Sequence, residues 1–184
     1  GLTAAEMLTG TDVLFLLGAD ELNFAKKTAG FTVYIGTHGD NGAHHADVIL
    51  PAAAYTEKSG TYVNTEGRVQ MASRAAFAPG EAREDWAVLR ALSDVLGKKL
   101  PYDSLAALRA RLYAEFPHFA QVDTISTADG GAIAAIAKKA GRMGKSAFAS
   151  PVKDFYLTNP IARASAVMAE CSALAKTAKA VAAE

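Results

Sequence analysis

Three short, unbroken apolar runs fall within the first fifty residues, separated by polar or glycine-containing stretches. The first, Val13-Leu14-Phe15-Leu16-Leu17, stops at Gly18. A run of that length without polar alternation predicts a strand covered on both faces. Asp20 follows as the N-cap of a short helix reaching Lys27. Residues 31–35 form a second β-rich run closed by Gly36. The turn-forming string Thr37-His38-Gly39-Asp40-Asn41-Gly42 then leads to a third strand over residues 46–50. Strand, helix, strand, loop and strand in so short a span predict parallel pairing in a three-layer α/β sandwich.

Beyond Pro51 the pattern changes. Glu57, Gly60, Thr61, Asn64, Glu66, Gly67 and Arg68 make a polar run that no packing argument requires. It begins at the carboxyl end of a strand, where open α/β sheets place their ligands. Val69-Gln70-Met71-Ala72 reads as a short edge strand, and Pro79-Gly80 as a turn. Helix periodicity resumes at Glu84-Asp85, with Trp86, Val88, Leu89, Leu92 and Leu96 spread over a broad apolar arc that packs on the domain. Gly97 stops that helix. Asp103 or Ser104 caps another, which carries Leu105, Leu108 and Leu112 and ends at Phe116-Pro117.

A compact α/β domain is therefore expected over residues 1–118, a Gly/Ala/Ser/Lys-rich linker or irregular segment over 119–152, and a helical tail over 153–184. Asn159 as N-cap with Pro160 at the first helical position starts an Ala-rich helix from Ile161 to Val181. Ile161, Met168 and Ala175 share one narrow face of it. Isolated helices are marginal in water, so this one is expected to dock on its own domain or on a neighbour.

Composition narrows the function classes. The 184 residues include 19 basic and 19 acidic side chains, so no global field favours nucleic acid or an anionic membrane surface. The lysine pairs Lys26-Lys27, Lys98-Lys99 and Lys138-Lys139 read as solvated surface. No window approaches the roughly 18 continuous apolar residues of a membrane span. The single cysteine, Cys171, excludes an internal disulfide and a cluster held by this chain alone. The start, Gly1-Leu2-Thr3, carries neither an initiator Met nor a signal-peptide pattern, as expected for a segment of a longer polypeptide.

The candidate chemistry is sparse. His44 and His45 are adjacent, so in a strand they face opposite sides and cannot chelate one ion; no metal site is expected. Asp20-Glu21 at a strand end are explained by capping and by charge near a helix N-terminus. Gly39-Asp40-Asn41-Gly42 has neither the spacing nor the Gly-Lys-Ser/Thr ending of a phosphate-binding loop. Cys171 has no adjacent His, and no nucleophile elbow is present, so no catalytic residue is expected. Two readings of residues 57–68 stay open: a cofactor cradle, or an ordered loop whose Glu57, Asn64 and Arg68 satisfy one another and the backbone.

The strings H-A-D-V-I-L-P and E-K-S-G-T-Y-V-N-T-E-G-R-V-Q, at residues 45–51 and 57–70, closely resemble the molybdopterin oxidoreductase superfamily. The strings at 16–21 and 53–58, and the tail D-F-Y-L-T-N-P-I-A-R-A-S at 154–165, are similar to one branch. That branch is the large iron–sulfur subunit of proton-pumping NADH:quinone oxidoreductase, or complex I. The likeness covers most of the chain, excepting residues 121–150. It implies a Rossmann-like sandwich that is the C-terminal part of a molybdopterin-oxidoreductase-like domain. It implies a structural role, with 2Fe-2S and 4Fe-4S clusters held elsewhere in the parent and no cofactor in this segment. It also implies hydrophilic-arm subunits as partners, at a peripheral position on the cytoplasmic or matrix side of a membrane complex. Carried over by position, Glu57, Gly60, Thr61, Asn64, Gly67 and Arg68 match the ancestral cofactor-side motif as inherited architecture. The alternative is a domain binding molybdopterin guanine dinucleotide in an active molybdenum enzyme such as a formate dehydrogenase. A third possibility is an autonomous small-ligand binder that reuses the strand-end crevice.

Overall fold

In a computed structural model, which describes residues 1–28, 30–138, 141 and 144–181, the three apolar runs become one parallel sheet. Its strands are β1 (Val13–Leu17), β2 (Phe31–Gly36) and β3 (Val48–Pro51), in the order β1-β2-β3. Val13 lies opposite Phe31, and Val33 opposite Val48. One face carries Leu14, Leu16 and Tyr34 against Leu8 of helix α1 (Ala4–Gly10), Phe24, and Ala43 of helix α2 (Asn41–His44). The other carries Val33 and Ile35, with Ala52, against Val88 and Leu89 of helix α3 (Asp85–Val95). The result is the expected α/β architecture, with helices on both sides of a parallel sheet. Each fully buried aliphatic side chain contributes about 1.5–3 kcal/mol by leaving water.

The first strand differs from its expectation. Leu14 and Leu16 are buried, but Val13, Phe15, Leu17 and the neighbouring Phe31 are 38–50% exposed. The reason is coverage: α3 packs on the β2 side of that face and leaves the β1 side open. An apolar run is what a strand covered on both faces requires, and among the described residues only one face of it is covered.

Asp20 does not cap a following helix. Residues 24–26 make a single 3-10 turn, and its cap is Asn23, whose side chain accepts the Ala25 N–H. His44 lies in α2 and His45 just after it, not in a strand. The third strand starts at Val48, two residues later than expected. Lys27 is not merely solvated, since its Nζ donates to the His45 carbonyl at 2.6 Å.

The polar run after β3 is a hairpin. Strand β4 (Gly60–Val63) pairs antiparallel with β5 (Val69–Ala72), Gly60 opposite Ala72. The edge strand expected at 69–72 is present, but its partner was hidden among polar neighbours. Helix α3 leads through a short connection to α4 (Leu105–Glu115), capped by Ser104, which accepts the Ala107 N–H at 3.1 Å. Arg90, only 8% exposed, ties α3 to that connection. It donates to Asp94 at 2.6 Å, Asp103 at 2.5 Å and the Tyr102 carbonyl at 3.0 Å. Within the stretch read as irregular, residues Gly130–Ala137 form helix α5, with Asp129 as its cap.

The tail is two helices, not one. Helix α6 (Pro160–Arg163) starts where expected, with Asn159 Oδ1 accepting the Ala162 N–H at 2.9 Å. The helix is interrupted at 164–165, where the Ser165 N–H turns to the Ala162 carbonyl at 3.1 Å, and the chain resumes as α7 (Ala166–Val181). Ile161 therefore belongs to α6, while Met168, Ser172 and Ala175 share the inward side of α7. Asp154 joins the pieces: it accepts from Ser172 Oγ at 2.5 Å, Tyr156 N–H at 3.1 Å and Lys176 Nζ at 3.1 Å. Of the segments read from sequence, Lys139 and the last three residues of 153–184 lie outside the described residues.

The Asp154 carboxyl is held below the usual range, first by the Ser172 hydroxyl and then by Lys176 and the Tyr156 amide. A lowered folded-state value means its contribution is complete above the unfolded carboxylate value, about 3.9, and is lost as pH falls through the lower folded value. Asp154→Asn should therefore lose less tail helix than the unmodified chain on acidification from about pH 4 to about pH 2. Far-UV circular dichroism across that range checks this, and identical acid transitions would contradict it.

Candidate functional site

The carboxyl ends of the three strands open into a crevice of about 780 Å³. Leu17 and Gly18 after β1, Gly36 and Thr37 after β2, and residues 52–54 after β3 form one side of it. This is where an open parallel sheet offers room, because the strands end in exposed backbone while the helices begin beyond them. The opposite wall comes from far away in sequence. Asn159, Pro160, Ile161, Ala162, Ser165 and Met168 of the tail complete the lining.

Asp20 sits at the base of the crevice, 4% exposed. Its carboxylate accepts the Tyr34 hydroxyl at 2.9 Å and the Gly42 N–H at 2.7 Å. The second bond falls in the first turn of α2, so Asp20 does use a helix N-terminus, but of the helix after β2 rather than the one expected after β1. Gly42 must be glycine for this contact. A Cβ there would lie 2.8 Å from the Ala19 carbonyl and 2.9 Å from Asp20 Oδ1. Burial pushes the Tyr34 phenol well above its usual range, and the adjacent Asp20 carboxylate adds to the effect.

Ion pairs flank the crevice on two sides. Lys58 Nζ meets the Asp85 carboxylate, joining the start of the hairpin to the start of α3. At the tail side, Arg163 Nε donates to Asp40 Oδ2 at 2.7 Å, and Nη2 donates to Glu21 Oε1 at 2.6 Å. Its Nη1 donates to the Leu157 carbonyl at 3.1 Å. The guanidinium's acidity is weakened further by these carboxylates, Asp40 foremost.

The six cofactor-side residues lie elsewhere. Glu57 accepts the Ala54 N–H at 2.9 Å and lines a smaller recess of about 300 Å³. Gly60 and Thr61 are in β4. Asn64 Oδ1 accepts the N–H groups of both Glu66 and Arg68 at 3.0 Å, and Gly67 takes φ +83°, a conformation that favours glycine. Arg68 Nη1 donates to the Asp123 carbonyl at 3.0 Å, tying the hairpin to the segment after α4. None of the six lines the large crevice; the hairpin reaches it through Lys58 and Tyr62. His38 bonds Thr37 Oγ1 at 2.6 Å, and His45 stacks on Phe24 with ring centroids 4.8 Å apart. Among the described residues no group of three or more His, Cys, Asp or Glu could hold a metal ion.

Sequence reasoning missed Tyr34, the Lys58–Asp85 pair and Arg163. Tyr34 is hidden in an apolar strand, where only its hydroxyl sets it apart. Arg163 stands among small residues, Ala162 and Ala164, and that isolation was its one available signal.

Residues 2–95 match the family model described as molybdopterin oxidoreductase, and the chain belongs to that family. Residues 121–171 match a second model, which describes the C-terminal region of an NADH-ubiquinone oxidoreductase subunit, so the likeness also covers the stretch 121–150 that the motifs alone did not reach. The chain is 48% identical over 163 residues to the NADH-ubiquinone oxidoreductase 75 kDa subunit of Reclinomonas americana, covering 89% of this chain and 23% of that one. It is 47% identical over 169 residues to the mitochondrial 78 kDa subunit of Neurospora crassa, at coverages of 89% and 23%. To the mitochondrial NADH dehydrogenase [ubiquinone] iron-sulfur protein 1 of Solanum tuberosum it is 44% identical over 169 residues, covering 89% and 22%. The chain thus spans about a quarter of the length of the curated relatives it matches.

Tyr34→Phe should destabilise the domain by about 1–3 kcal/mol, because it leaves the buried Asp20 carboxylate one donor short. Asn64→Ala should cost about 1–2 kcal/mol by freeing two N–H groups of the hairpin turn. Urea unfolding followed by Trp86 fluorescence measures both, and unchanged midpoints would contradict them.

Proposed function

We propose that this chain is a structural domain of the large iron–sulfur subunit of a proton-pumping NADH:quinone oxidoreductase. The observation that carries the reading is the likeness to 75 and 78 kDa subunits at 44–48% identity over about nine-tenths of the chain, beside a subunit-specific family model that reaches residue 171 of the tail. Electrons from NADH toward quinone would pass through 2Fe-2S and 4Fe-4S clusters held by other parts of the parent subunit, since the one cysteine here cannot ligate a cluster. Partners are other hydrophilic-arm subunits, and the place is peripheral to the membrane. Among the described residues no helix is long and apolar enough to cross a membrane. The open row of Val13, Phe15, Leu17 and Phe31 suits a domain that meets further protein.

The alternative of an active molybdenum site asks the crevice to hold an anionic dinucleotide cofactor. The donor set does not fit one. Asp20 and Asp85 line the crevice, and Lys58, the one lysine among its described lining residues, is matched by Asp85. Asp20 already holds the first-turn N–H of α2. Arg163 is engaged by Asp40 and Glu21. A pyrophosphate would meet carboxylates where it needs cations or free N–H groups. On this reading Glu57, Gly60, Thr61, Asn64, Gly67 and Arg68 are inherited architecture whose present work is to close and anchor the hairpin.

Metal analysis of the purified parent enzyme tests the proposal. Iron without stoichiometric molybdenum or extractable pterin is expected, and stoichiometric molybdenum would overturn it. Arg68→Ala should lower the yield of assembled enzyme while turnover per assembled complex stays within about twofold of normal. Normal assembly with lost turnover would contradict the scaffold role.

A further inference from the structure

We infer that residues 159–168 are a built-in cover, latched by Arg163 across the strand-end crevice. The inference rests on the scaffold reading above and deepens it by naming what covers the crevice. Three independent features converge on these few residues. Asn159, Pro160, Ile161, Ala162, Ser165 and Met168 line the strand-end crevice opposite Leu17, Tyr34 and residues 52–54. Arg163 bridges two carboxylates from different loops: Glu21 after β1, and Asp40 after β2. And α6 is rebuilt locally for the purpose, with Asn159 and Pro160 starting it and the break at 164–165 ending it after one turn.

The latch has the geometry of a specific contact rather than a chance surface pair. Glu21 is the more exposed partner, but Asp40 and the guanidinium are largely covered, at 18% and 28% exposure. A third arm, Nη1, holds the Leu157 carbonyl, so the guanidinium also fixes the turn that precedes α6. Arg suits this role because its planar fork presents several donors in fixed directions. The loops it joins both follow strands, so the contact closes over the sheet's carboxyl edge. Pro160, Ile161, Ala162 and Met168 present mainly apolar surface to a crevice whose inner wall is Leu17, Ile35 and small alanines. That wall faces the strand ends across about 780 Å³ of open space, and its tie to the strand-end loops runs through Arg163.

The test follows cleavage of the Arg163–Ala164 bond by trypsin in the full chain, with mass spectrometry of the products. Cleavage requires the segment to leave the crevice, so its rate tracks the fraction undocked. The variants are Glu21→Gln and the double variant Glu21→Gln with Asp40→Asn, which keep shape and remove charge. The exposed Lys98 bond in the same digest is the internal control. The double variant should cut at Arg163 about tenfold faster or more, the low end for losing hydrogen bonds to charged groups, while the control stays constant. Equal rates in the double variant and the unmodified chain would overturn the latch, as would a cut at Arg163 in the unmodified chain as fast as at Lys98. If the double variant fails to fold by circular dichroism, Glu21→Gln alone decides: faster cleavage supports the latch and an unchanged rate overturns it. Failure here is distinct from failure of the scaffold reading. A loose tail in a molybdenum-free parent removes the latched cover alone, whereas a latched tail with stoichiometric molybdenum removes the scaffold role and leaves the docked tail.

Discussion

The buried carboxylate of Asp20 is the constraint that sets the strand-end geometry. A charge 4% exposed is costly unless hydrogen bonds replace its water. Here they come from Tyr34 in the middle strand and from Gly42 at the start of α2. Meeting that requirement sets three things at once. It fixes the path after β1, holds α2 against the end of the sheet, and demands a residue without a side chain at position 42. Asp40 stands two residues before Gly42, so the same arrangement presents the carboxylate that Arg163 grips from 123 residues further along.

Two layers of consequence follow. Where helices cover the sheet, its faces are ordinary core, filled by Leu14, Leu16, Val33 and Ile35. The polar groups at the sheet's end are paired among themselves: Asp20 with Tyr34 and Gly42, Lys58 with Asp85, Arg163 with Asp40 and Glu21. The hairpin repeats the theme, with Asn64 spending its carbonyl oxygen on two backbone amides and Arg68 reaching Asp123. In a family named for a bound cofactor, the polar groups at this crevice satisfy one another. That suits a domain whose proposed work is to hold its neighbours in position.

Some of this was legible along the chain. Strand runs closed by Gly18 and Gly36 depend on local chemistry: unbroken apolar stretches and glycines tolerant of turn geometry. The start of α6 was legible for the same reason, since Asn159 and Pro160 act on the residues next to them. The motif at 57–70 was legible as a family pattern, but its shape was not. β4 forms because Thr61, Tyr62 and Val63 pair with β5, a tertiary choice that outweighs their polar neighbours. Asp20 looked like a helix cap because capping is the commonest local use of such a residue. It caps a helix distant in sequence, which no local pattern can reveal.

Periodicity, composition and short motifs were enough for the α/β class, the parallel order of apolar runs and the family likeness. All of these are properties of neighbouring residues. Which polar groups meet is a different matter, settled by folding alone. Arg163 and Asp40, or Arg68 and Asp123, come together because the chain folds back on itself. The outer face of β1 stays open because α3 covers only part of the sheet. Charge pairing and face coverage are sums over distant segments, and those sums exist only once the chain is folded.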